Sequence, residues 1–256
     1  MNTLGTFPFG QPVEPLVQHD RGPKKVFVLG VYASAVHARW IGPDGKDRVK
    51  ALAVASEPHI FWRGEGADEI IAEITIPEEL GMLVPAAGRL NGPSGAALDE
   101  MFLDPLGINR DDAWLCDLVP HSCVNPSQRK AIKREYTPVI YQFKLPVPSV
   151  PPVPKILADD ARRREILDEI RESQAELLVL LGDKPIQSFL KHFDDRWKRL
   201  ADFSPYGQRH RVRLDGLEID VLPLAHPRQT AQLGMASEKW YKLHQEWMES
   251  VSKHPI

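Results

Sequence analysis

Four short apolar runs constrain this chain more than any other feature. KKVFVLG (24–30), AWLCDLV (113–119), LLVLLGD (177–183) and VLPLAHP (221–227) are rich in Val and Leu and end at a glycine or a polar tip. That is the pattern of strands buried on both faces of a parallel sheet. Helix-period segments lie between them. SGAALDEMFLDPLGI (94–108) reads as a helix capped by Ser94. ILADDARRREILDEIRESQ (156–174) reads as an amphipathic helix whose stripe is Ile156, Leu157, Ala161, Ile166, Leu167 and Ile170. KPIQSFLKHF (184–193) and ASEKWYKLHQEWMESV (236–251) follow as helices. HRVRLDG and LEIDVLPLAHP pair around an Asp-Gly turn. Alternation of this kind predicts an α/β fold: a three-layer α/β/α sandwich around a doubly wound, mainly parallel sheet.

Four segments fall outside the alternation. Residues 1–23 read as an irregular arm. Residues 40–80 read as an insertion with a hairpin, and VYASAVHARW before it opens as a helix or a loop. NPSQRKAIKREY (125–136) is basic and helical in its later part. LPVPSVPPVP (145–154) is extended and semi-rigid, a connector within one domain rather than a boundary. The whole chain is expected to be one domain and a monomer.

Bulk properties exclude some classes. No apolar run reaches the roughly 20 residues of a membrane span, and no signal peptide is visible. Two cysteines, Cys116 and Cys123, argue against a secreted disulfide scaffold and leave a reducing cytoplasm as the default expectation. With His121 they suggest zinc only weakly, because a fourth ligand is missing. The net charge of −3 means that any nucleic-acid site must be a local basic patch.

In an α/β sheet, ligands bind at the carboxyl ends of the strands. The tips there are 30–34 (GVYAS), 117–121 (DLVPH), Gly182-Asp183 and His226-Pro227-Arg228. In chain order, VLGVYASA, GRLNGPSGAALDEMF, DDAWLCDLVP and the pair LLVLLGDKPIQSFL with VLPLAHPRQ resemble the uracil-DNA glycosylase superfamily. The likeness spans 25–247, apart from the insertion. VLGVYASA is similar to that family's water-activating loop, and VLPLAHPRQ to its final His-Pro loop.

The resemblance implies a base-flipping N-glycosylase that needs no cofactor and acts on single- or double-stranded DNA. His226 would stabilise the departing base anion. Tyr32 and Ser34 would line the water site. Asp117 would read the base edge beside Gly30, Asn91, Gly92 and Ser94. Arg228 and Gln229 would enter the duplex, and Arg129, Lys130 and Lys133 would track its backbone.

Two departures matter. The family reads uracil with Asn, where this chain has Asp117. An ionised Asp only accepts hydrogen bonds, so the preferred base is open. The first loop also holds no acid or amide to orient water. Base stacking would fall to Tyr32, Phe102, Phe61 or Trp62. A non-catalytic nucleic-acid or nucleotide-binding module, or a nucleotide-handling enzyme of another kind, stays open. Arg162-Arg163-Arg164 reads as ordinary surface pairing.

Overall fold

The computed structural model describes residues 3–232 and 237–251. Among them, the strands are β1 (Gly5–Thr6), β2 (Pro12–Val13), β3 (Val26–Tyr32), β4 (Ala35–Ile41), β5 (Asp47–Ser56), β6 (Met82–Pro85), β7 (Ala113–Val119), β8 (Leu177–Leu181), β9 (His210–Leu214) and β10 (Leu217–Leu224). The α-helices are α1 (Ala67–Ala72), α2 (Pro93–Leu98), α3 (Pro126–Ala131), α4 (Ile140–Phe143), α5 (Asp160–Ser173), α6 (Asp183–Ser188), α7 (Pro227–Thr230) and α8 (Glu238–Val251). The chain divides into two compact units. One comprises Met1–Leu16, Tyr32–Gly95 and Pro120–Pro154. The other comprises Val17–Val31, Ala96–Val119 and Lys155–Ile256.

The second unit carries the mixed α/β fold. Its five strands run in the order β7-β3-β8-β10-β9. β3 and β10 both pair with β8 in parallel, and β9 returns antiparallel to β10 across Asp215-Gly216. All five residues of β8, an uninterrupted apolar run, are buried, and so are all seven of β7, Asp117 among them. Phe27 and Trp114 stack at 6.2 Å between neighbouring strands.

Helix α5 starts later than its sequence suggests. Asp159 caps it by accepting the Arg162 N–H at 2.9 Å. Ile166, Leu167 and Ile170 are buried as expected. Ile156 and Leu157 precede the helix, and Ile156 is 70% exposed. Ala161 is exposed too, so the stripe is shorter than its periodicity implied. Helix α8 forms as expected; Ala236, in the expected first turn, lies outside the described residues.

The first unit holds the hairpin. β4 is the centre of a three-stranded antiparallel sheet ordered β5-β4-β6. Residues 35–41 form a strand, not the helix or loop expected for VYASAVHARW. Val36, Ala38 and Trp40 are buried while Arg39 faces solvent, so the period is two. The alanines concealed that period.

The N-terminal arm carries regular structure between Gly5 and Val13, while residues 14–23 form neither helix nor strand, as expected. β1 and β2 pair, and Phe9 packs edge-on against Trp40 at 5.3 Å and Tyr136 at 5.0 Å. The basic segment is helical from Pro126 onward. Asn125 caps it by accepting the Gln128 N–H at 2.9 Å, and Pro126 occupies the first turn. Helix α2 begins at Pro93, so Ser94 lies inside its first turn rather than capping it.

Candidate active site

In the second unit, a cavity of about 300 Å³ opens where β3, β8 and β10 end. Val31 closes one side, Leu181 and Gly182 the middle, and His226, Arg228 and Gln229 the other. This is the carboxyl edge of the parallel strands, where a sheet of this kind gathers ligands. Gly182 turns the chain at φ +84°, and a Cβ there would stand 3.1 Å from the His226 Cβ. The glycine lets the two strand tips close on one another.

His226 caps α7. Its Nδ1 accepts the Arg228 N–H at 3.2 Å, and the Gln229 side-chain oxygen accepts the His226 N–H at 3.4 Å. Burial, with Arg228 beside it, lowers the imidazole pKa to about 4. The ring is therefore neutral at pH 7. With Nδ1 accepting, the proton sits on Nε2. Nε2 makes no hydrogen bond among the described residues. The histidine presents a neutral N–H donor where it lines the cavity. Gln229, expected to enter a duplex, uses its carbonyl to close this cap.

A buried relay fixes the approach to His226. His244 Nε2 donates to the Met101 carbonyl (2.9 Å), which leaves Nδ1 to accept from the Tyr206 hydroxyl (2.7 Å). The Tyr206 oxygen then accepts the Ala225 N–H at 2.9 Å. Burial lowers His244 to about 4, so the relay stays neutral and satisfied. Neither Tyr206 nor His244 stands out in sequence, because each lies far from the tip it holds.

Asp117 lies behind the cavity wall rather than on it. It is 3% exposed, and its carboxyl accepts the N–H of Val31, which does line the cavity. Burial raises its pKa to about 7, outweighing the Arg162 charge and the Val31 N–H. Arg162 is no ordinary surface residue. It donates to the Asp117 carbonyl at 2.8 Å and to the Cys116 sulfur at 3.2 Å, and pairs with Glu169 at 3.3 Å. Trp114 Nε1 donates to the same Glu169 at 3.0 Å.

Lys184, overlooked in sequence, also lines the cavity. It follows the Gly182-Asp183 tip and is exposed, as is Arg228. Neither makes an ion pair among the described residues. Gly30 is buried inside β3, which continues to Tyr32 instead of ending at the glycine.

Except for Phe102, the remaining expected residues belong to the first unit. Tyr32 is 41% exposed, so it is not a packing aromatic. Phe102 and Trp62 are buried; Phe102 packs on His244 at 4.5 Å and Trp62 donates to the Glu65 carbonyl. The Ser34 N–H donates to Glu57 at 3.0 Å, and its carbonyl accepts the Ser122 hydroxyl. Glu57 is buried, an acid supplied from the end of β5 to a loop that holds none.

Asn91 uses both ends of its amide on one residue. It accepts the His37 N–H at 2.7 Å and donates to the His37 carbonyl at 3.0 Å. It pins β4 with one N–H and one lone pair of its amide, and is itself buried. Gly92 packs against the Arg63-Gly64 backbone, not against an open pocket.

No group of three His, Cys, Asp or Glu that could hold a metal occurs among the described residues. Burial pushes the Cys116 thiol well above its ordinary value and Cys123 up to about 11. Neither is a thiolate at neutral pH. No described helix is long and apolar enough to cross a membrane. No protein-family model and no curated protein sequence matches the chain.

Proposed function

We propose that the chain is a DNA glycosylase similar to the uracil-DNA glycosylase superfamily, with helices on both faces of the parallel sheet as a three-layer α/β/α sandwich. The observation that carries this reading is His226: a neutral imidazole, held by its own cap, whose Nε2–H makes no hydrogen bond among the described residues where it lines a cavity at the strand tips. A flipped base that loses its sugar must take up negative charge. A preorganised neutral donor stabilises that charge without itself titrating near pH 7. Water attacks C1′, and the electron pair of the C1′–N bond leaves with the base. His226 Nε2–H donates to the base oxygen on which the charge gathers. The water's hydroxyl stays on the sugar and its proton ends on the released base.

Lys184 and Arg228 supply positive charge for the flanking phosphates. Asp117 acts one step back: by accepting the Val31 N–H it sets the wall that a base would meet. A binding module without catalysis is the second reading. It is favoured by one observation, the withdrawal of Asp117 from the cavity surface.

A panel of oligonucleotides, each carrying one modified base and followed by alkaline cleavage of abasic sites, tests the proposal. Cutting at one base class that falls about 10²–10³-fold in His226→Ala is expected. Salt-sensitive binding with no cutting of any base overturns catalysis and leaves the binding module.

A further inference from the structure

We infer that a groove in the first unit is a sequence-independent seat for the phosphodiester backbone of nucleic acid. The groove encloses about 410 Å³. Val124, Pro152 and Val153 form its apolar side, and Arg129, Lys130 and Lys133 face it from α3 and the turn that continues it. This inference rests on the reading that the chain handles DNA, but concerns different residues.

Three observations carry it. First, the three cations share a helical face, at spacings i,i+4 and i,i+3. Second, none of them makes an ion pair among the described residues. Arg134, the next cation along the same segment, does find a carboxylate, that of Glu135. The groove keeps its charge for something outside the chain.

Third, both walls are fixed in advance. Gln128 donates to the Ala51 carbonyl at 2.9 Å and accepts the Ala53 N–H at 3.0 Å, which holds α3 to β5. Opposite, the Val124 N–H donates to the Pro151 carbonyl at 2.8 Å, and the Tyr136 hydroxyl donates to the Pro146 carbonyl at 3.0 Å. A groove built this way orders little on binding.

Its chemistry names the occupant. Three cations and an apolar side match a chain of evenly spaced anions joined by sugars. No Asn, Gln or acid lines the groove to read a base edge. The contact therefore positions the strand without selecting sequence.

The test is a triple variant, R129Q/K130Q/K133Q, binding a fluorescent 20-base-pair duplex between 50 and 200 mM salt. Circular dichroism checks that the variant is folded. R164Q/K191Q, exposed cations of the other unit, is the control. Loss of three phosphate contacts makes the slope of log affinity against log salt shallower by about 2.7. Over that range the variant escapes about fortyfold of the wild-type salt loss. The control keeps the wild-type slope.

An unchanged slope in the triple variant overturns the inference, as does an equal change in the control. Preferential binding of poly-glutamate over the duplex overturns it too. The two readings fail separately. If no base is cut but the slope shift is present, the glycosylase falls and the groove stands. If a base is cut and the slope is unchanged, the groove falls alone.

Discussion

Replacing Asp117 by Asn should stabilise the protein above neutral pH and leave it nearly unchanged in acid. Asp117 lies within β7, 3% exposed, and its carboxyl accepts one backbone N–H, from Val31. Arg162 reaches the Asp117 carbonyl rather than supplying the carboxylate with a direct partner. Burial therefore wins, and the pKa rises from 3.8 to about 7. The unfolded chain releases this proton near pH 4, whereas the folded chain keeps it until about pH 7. Stability is fully present below the unfolded value and is lost as pH rises through the folded one. A gap of about three pKa units corresponds to about 4 kcal/mol above pH 7. Asn has the same shape, keeps an oxygen for the Val31 N–H and never ionises. Urea unfolding followed by tryptophan fluorescence, at steps from pH 4 to 8.5, measures the difference between the two proteins. Groups common to both cancel in that difference. The variant's advantage should be within about 1 kcal/mol of zero at pH 4 and grow to about 4 kcal/mol at pH 8. A flat difference, or a variant that loses ground as pH rises, would refute the reasoning, because the fold would then favour the carboxylate.

Three further outcomes follow from the geometry. Tyr206→Phe leaves the Ala225 N–H and His244 Nδ1 unpaired, so unfolding free energy should fall by about 1–3 kcal/mol per group, read by urea titration; any cutting activity should fall with it. His244, lowered from 6.5 to about 4 by burial, lends stability that is complete above pH 6.5 and lost as pH falls through 4; the deficit of His244→Asn should therefore shrink by about 3 kcal/mol between pH 7 and pH 4. Gly95→Ala would bring a Cβ to 2.1 Å from the Phe61 carbonyl and 2.3 Å from that of Trp62, so a loss of more than about 4 kcal/mol, or no soluble protein, is expected on thermal unfolding.

The parallel strands were legible because burial on both faces leaves an unbroken apolar run, as in LLVLLGD. The Asp-Gly turn between β9 and β10 was legible for a similarly local reason. β4 was not, because alanines at 35 and 38 carry little strand preference and the burial of Trp40 depends on partners far away. At the candidate site, His226 was legible from its place at a strand tip. Its protonation state was not, since the cap to Arg228 and the burial exist only in the folded chain. Asp117 shows the opposite failure. The sequence placed it at the tip, but the strand runs two residues further and buries it. Tyr206, His244 and Arg162 act across 19, 143 and 45 residues of chain, distances at which no local spacing carries a signal.

The use of side-chain amides as strand substitutes has a consequence for self-association. β5 is an outer strand of its sheet, and an outer strand invites another chain to continue the ladder. Gln128 occupies the vacant carbonyl and N–H at Ala51 and Ala53. One glutamine thus interrupts the template that a foreign strand would copy. Gln128→Ala should uncover it, and the first sign would be aggregates with cross-strand order rather than a loss of fold.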